Sequence, residues 1–129
     1  MQRVFNPFIE RMPREQLEAL RWRRLIGTLR RVYADSPFYR QRMRQAGVEP
    51  DAIQSPADFR RLVPTVAKAD LLADQREHPP LGSAIAVPRE RVEFCFLTSG
   101  TSGQGQEVHA YTAADVGESL STWAGSLHW

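Results

Sequence analysis

The residues best suited to chemistry lie in one run, Thr98-Ser99-Gly100-Thr101-Ser102-Gly103-Gln104-Gly105-Gln106. Glycine carries no Cβ, so Gly100, Gly103 and Gly105 let the backbone take positive φ and come close to a ligand. The hydroxyls of Thr98, Ser99, Thr101 and Ser102 can donate to anionic oxygens. Successive backbone N–H groups in such a loop can form a concave nest for an anion. The run is not a Walker A motif, because no Gly-Lys-Ser/Thr follows the glycines. It is not a dinucleotide fingerprint, because the glycine spacing differs and a strand, not a helix, is expected next. Composition alone leaves two readings open: a phosphate cradle, or a flexible hairpin connector.

Other chemistry-bearing residues are scattered. His78, His109 and His128 have no ligand spacing and are expected to be ordinary side chains, so no metal site is expected. Cys95, the single cysteine, excludes an internal disulfide, suits a reducing compartment and is expected to be a buried structural thiol. Lys68, the single lysine, falls in an expected surface helix, with a solvated or capping role. Tyr111 fits either core packing or a face toward substrate. No residue stands out as a catalytic acid, base or nucleophile.

The elements that would position the loop follow from periodicity. Residues 14–34 read as a long amphipathic helix, with Pro13 at its start and Trp22, Leu25, Ile26, Leu29, Val32 and Tyr33 forming one apolar stripe. Ser36-Pro37 opens a second helix running to about Ala46, where Gly47 stops it; Phe38, Met43 and Ala46 supply its apolar contacts. Short helical starts are expected at Glu49-Pro50-Asp51, at the capping box Ser55-Pro56-Ala57-Asp58, and at Thr65, which would cap a helix carrying Val66, Ala69, Leu71 and Leu72. An irregular loop covers 79–90. From Arg91, Val92, Phe94 and Phe96 alternate with Glu93, Cys95 and Leu97 as a strand, and 107–111 read as its hairpin partner. Thr112-Ala113-Ala114-Asp115 caps a closing helix with Val116, Leu120 and Trp123. The expected class is α/β: a helical arm over 1–90, then a hairpin, loop and helix over 91–129.

Phe96-Leu97-Thr98-Ser99-Gly100-Thr101-Ser102-Gly103 resembles the phosphate-binding signature of the adenylate-forming superfamily. Upstream, Leu29-Arg30-Arg31-Val32-Tyr33, Ser36-Pro37-Phe38-Tyr39-Arg40 and Ala46-Gly47-Val48 resemble the helical N-terminus of phenylacetate–CoA ligases. So do Asp58-Phe59, Leu62-Val63-Pro64 and Lys68-Ala69-Asp70-Leu71. The resemblance covers residues 12–125. It implies an ATP-dependent acid–thiol ligase that turns an aryl or other carboxylic acid into an acyl-adenylate and then an acyl-CoA, using ATP, Mg2+ and coenzyme A. It implies the fold of that enzyme's large domain, with 91–129 as the start of an ATP-binding core. Thr98, Ser99, Gly100, Thr101, Ser102 and Gly103 would hold the phosphates. One departure stands out: the family's Lys-Pro after the last loop glycine is Gln104-Gly105 here. The chain is expected to be a truncated N-terminal piece, inactive alone.

With 42% hydrophobic and 25% charged residues, the composition is that of an ordinary globular chain. A cytoplasmic protein is expected, with no membrane and no nucleic-acid partner, and a homodimer is possible. The net charge of +2 divides into +7 over residues 1–45 and −5 over 46–129. That asymmetry keeps a second reading open, a basic nucleic-acid- or protein-binding module on the Arg-rich helices. Gln104 keeps open a third, a non-catalytic remnant.

Overall fold

A computed structural model describes residues 6–100, 103 and 105–127, the last four by backbone alone. In chain order the elements are α1 (Pro7–Glu10), α2 (Arg14–Asp35), α3 (Pro37–Gln45), α4 (Pro56–Leu62), α5 (Lys68–Glu77), β1 (Phe94–Leu97), β2 (Val108–Tyr111) and α6 (Ala113–Leu127). Single 3-10 turns lie at Pro50–Ala52 and Arg89–Arg91. The helix α1 was not expected; Asn6 caps it by accepting from the Ile9 N–H.

The core belongs to the helical arm. Leu29, Met43, Val48 and Ile53 are buried together, and Trp22, Ile26, Tyr33, Phe59, Leu62 and Val63 pack around them. The stripe on α2 therefore faces inward as its spacing demands. Gly47, at φ +67°, ends α3 as expected, with its N–H bonded to Arg44 O at 3.0 Å. The Val48 N–H bonds Met43 O at 2.9 Å, which completes a Schellman stop and folds Val48 onto Met43 in the core. Ala46, expected to be an apolar contact, is exposed instead, and Val48 takes the place inside.

Two of the basic side chains on these helices pair with carboxylates from later elements. Arg30 reaches Asp51 through Nε at 3.0 Å and Nη2 at 2.9 Å, and Arg42 meets Asp70 at 2.6 Å while lying over the Phe38 ring. Ser36 is fully buried: its Oγ caps α3 and donates to Ser83 O at 3.1 Å. Ser83 in turn donates its N–H (2.7 Å) and hydroxyl to the buried Asp74 on α5. This chain of bonds ties α5 to the junction of α2 and α3.

Thr65 does not cap α5. The helix begins at Lys68, and the Ala67 N–H is taken by Asp70 Oδ2 at 2.8 Å. Residues 63–66 stay extended because Val63, Pro64 and Val66 line an apolar groove of about 280 Å³ against Leu25, Leu29 and Met43. That packing outweighs an early helical start.

Strands β1 and β2 pair antiparallel in the register Phe94–Tyr111, Cys95–Ala110, Phe96–His109 and Leu97–Val108. The structure is thus α/β with a two-stranded sheet. Arg91, expected to open the first strand, lies in a 3-10 turn. All four residues of β1 are exposed, Leu97 at 64%. The Cys95 thiol is accordingly exposed, which corrects the expectation of a buried one. β2 is partly buried but every residue of β1 is exposed, so the alternation along β1 has no covered face to fill. No described helix is long and apolar enough to cross a membrane.

Candidate phosphate loop

The loop joins the two strands, and its neck is closed by two bonds. The Thr98 N–H donates to Glu107 O at 3.0 Å, and the Glu107 N–H donates to Thr98 Oγ1 at 2.9 Å. Thr98 spends an acceptor lone pair there and keeps its hydroxyl proton for donation. Beyond the neck, Gly100, Gly103 and Gly105 stand at φ +70°, +73° and +110°, where a residue with a Cβ is strained. The Gly103 N–H turns back onto Gly100 O at 3.1 Å. An added Cβ at Gly100 would lie 3.1 Å from Gln106 Cγ, so the two arms of the loop run close together. Ser99 is exposed. Thr101, Ser102 and Gln104, the other side chains expected here, lie outside the described residues, as does His128.

Helix α5 presents Lys68, Leu72 and Gln75 at i, i+4 and i+7, one face of the helix. That face meets the returning arm of the loop. Gln75 Nε2 donates to Val108 O at 2.7 Å and Gln75 Oε1 accepts from the Val108 N–H at 3.1 Å. The side-chain amide therefore stands in for a neighbouring strand at the outer edge of β2. A Cβ at Gly105 would touch both Leu72 methyl groups at 3.9 Å. Lys68 Nζ lies 3.8 Å from Glu107 Oε2, and the ammonium side chain is only 27% exposed. Lys68 is therefore paired and partly buried beside the loop, a correction to the solvated or capping role.

His109 Nε2 lies 3.5 Å from the same Glu107 oxygen, and His78 Nδ1 lies 3.2 Å from Asp74 Oδ1. The described residues contain no cluster of His, Cys, Asp and Glu able to hold a metal ion. Tyr111 is half-buried and meets the Phe96 ring edge-on at 5.3 Å. After β2, Thr112 and Asp115 form the expected box. The Thr112 N–H and hydroxyl donate to Asp115 Oδ2 at 2.9 and 2.8 Å, and the Asp115 N–H donates back at 3.3 Å. The Thr112 backbone bond, then its hydroxyl, hold the Asp115 carboxyl below the usual aspartate range. A cleft of about 760 Å³ lined by Arg31, Arg91, Ala110, Thr112 and Asp115 includes none of the described loop residues.

Sequence reasoning marked the loop and the two strands that flank it, but it did not bring Lys68, Gln75 or Glu107 together beside it. The signal was present on α5: a lysine and a glutamine share the stripe of Leu72, and polar residues on an inward stripe need partners.

The chain is 39% identical over 113 residues to a phenylacetate–coenzyme A ligase of Thermus thermophilus. Its relatives are phenylacetate–coenzyme A ligases. The Aromatoleum evansii and Escherichia coli enzymes of that name share 38% and 35% identity, and the alignments take in 88–92% of this chain. The chain spans about a quarter of these ligases' length, 24–26%. No family model matches it. Among solved structures, 2-hydroxyisobutyryl-CoA ligase in complex with 2-HIB-AMP and CoA superposes with TM-scores of 0.72 in an open conformation and 0.73 in the thioesterification state. Identity is 30% and 33%, covering 81% of this chain and 22% of that one. The two-stranded α/β structure thus resembles part of an adenylate-forming ligase.

Proposed function

We propose that these residues serve an ATP-dependent acid–CoA ligase of the phenylacetate–CoA ligase type. The observation that carries this is the alignment of about nine-tenths of the chain with enzymes of that name. In the reaction, a carboxylate oxygen attacks the α-phosphorus of ATP and the bond to the β-phosphate breaks. The acyl-adenylate forms and pyrophosphate leaves. The sulfur of CoA, its thiol proton lost to solvent or base, then attacks the acyl carbon and AMP departs.

Negative charge grows on the leaving pyrophosphate, so fixed donors around it lower the barrier. We assign that role to Thr98, Ser99, Gly100, Thr101, Ser102 and Gly103. Support comes from the positive φ angles of Gly100 and Gly103, the Thr98 hydroxyl at the mouth of the loop and a neck tied at both strands. Gln104 brings no charge; the partly buried ammonium of Lys68, paired with Glu107, stands beside the returning arm. Mg2+ would arrive on the phosphates of the nucleotide. Residues 1–90 act as the helical arm of the large domain and 91–129 as the start of its ATP-binding core. The acid is an aryl or other carboxylic acid, phenylacetate among them. Because the chain spans a quarter of its relatives, it is inactive by itself; AMP release from ATP, CoA and phenylacetate by the 129-residue chain would refute this.

ATP–pyrophosphate exchange on a polypeptide of the relatives' length tests the loop. Gly100→Val adds a branched side chain at φ +70° against Gln106 and should abolish exchange. Gln104→Lys should leave exchange unchanged or raise it. Wild-type exchange in Gly100→Val would reduce the loop to a connector.

A further inference from the structure

The Glu107 carboxylate stands where the loop returns to the sheet, and its side chain is only 13% exposed. Its backbone is fixed by both bonds to Thr98, so the residue itself has little room to move. Two basic side chains share one oxygen, Oε2: Lys68 from α5 at 3.8 Å and His109 from β2 at 3.5 Å. The register places Phe96 opposite His109, and Thr98 opposite Glu107 adds a hydroxyl. Among the described residues, Lys68 and His109 are the ionisable groups paired with this carboxylate. Histidine at 109 is 44% exposed and in contact with solvent protons, while Lys68 is more enclosed.

An acid beside a polyphosphate site works against binding in two ways. It repels the phosphate charge, and it occupies the ammonium that would otherwise face the phosphate. We propose that Glu107 is a positioning residue that holds Lys68 beside the loop and yields it to an entering polyphosphate, with protonated His109 as the rival partner that sets Lys68 free. The inference rests on the reading of 98–106 as the ATP phosphate site. With neutral His109, the carboxylate belongs to Lys68. As His109 gains a proton it takes a share of Glu107, and Lys68 turns to the phosphate. Affinity for polyphosphate is then higher with His109 protonated than with His109 neutral, and the response runs through Glu107.

Calorimetric titration of ATP into the whole protein, at about pH 8 and about pH 6, tests this in the wild type and in Glu107→Gln, His109→Gln, Lys68→Gln and Gly100→Val. Protonation of ATP itself is common to all and cancels in the comparison. Glu107→Gln should bind about three- to tenfold more tightly than wild type at the higher pH, the effect of releasing one partly exposed ion pair. It should also lose the wild-type difference between the two pH values. His109→Gln should match wild type at the higher pH and show no gain at the lower. Lys68→Gln should bind weakly at both. Wild-type affinity and pH response in Glu107→Gln overturns the proposal, and so does weaker binding in that variant. A pH gain retained by Glu107→Gln but lost in His109→Gln also overturns it, because His109 would then act on phosphate directly. Gly100→Val reports on the loop alone: ATP binding at wild-type strength there defeats the phosphate-site reading, whatever Glu107→Gln does.

Discussion

Gln75→Ala removes both bonds that the α5 amide makes to Val108, at 2.7 and 3.1 Å. Each intramolecular hydrogen bond contributes about 0.5–1.5 kcal/mol net, so the pair is worth about 1–3 kcal/mol. Val108 is half-buried, and water can satisfy part of what the amide leaves, which places the expected cost at about 1–2 kcal/mol. The loss should fall on the hairpin, because a two-stranded sheet is marginal without a neighbour. Hydrogen exchange at the Val108 amide should therefore accelerate by about 5- to 30-fold, the population change that such an energy implies. Gln75→Glu sharpens the test. It keeps the acceptor for the Val108 N–H but sets a carboxylate oxygen against the Val108 carbonyl, so at neutral pH it should cost at least as much as alanine. Unchanged Val108 exchange in Gln75→Ala, or a Glu variant as stable as wild type, would refute the account of α5 as the stand-in strand.

Three further outcomes are expected. Gly82→Ala forces a side chain to φ +77° and onto Asp74 Oδ2, the acceptor that holds Ser83; chemical denaturation should show a loss above about 2 kcal/mol. The Asp115 carboxyl is held below the usual aspartate range by its bonds to Thr112, so it stabilises the start of α6 above about pH 4. As pH falls below that, the unfolded chain takes up a proton first and the contribution fades through the depressed folded value; a carboxyl NMR titration of Thr112→Ala should show Asp115 returning toward the ordinary range. Cys95 should react with a thiol reagent in the native 129-residue chain as readily as in denaturant, because its strand is exposed. A native rate limited by unfolding would contradict that exposure.

Much of this was set by the chain's local chemistry. Pro13, Ser36-Pro37 and Ser55-Pro56 mark helix starts because proline and a capping hydroxyl suit the first turn wherever the helix later packs. Gly47 and the Thr112–Asp115 box act within a few residues, so they too were legible, as was the α2 stripe, whose period survives any partner. The clustering of glycine and hydroxyl residues at 98–106 marked the loop for the same reason. What tertiary structure decided concerns contacts between distant residues. Thr65 lost its helix start because Val63, Pro64 and Val66 lie extended along the α2–α3 groove, which periodicity within the segment cannot show. Cys95 reads as buried from a strand pattern, yet alternation says only which residues share a face, not whether a second layer covers it. Lys68 and Glu107 stand 39 positions apart in sequence, and only the docking of α5 on the hairpin edge, through Gln75 and Val108, brings the one lysine to the loop. Local rules choose elements over a few residues; the charge that reaches a site depends on which helix face meets which strand edge.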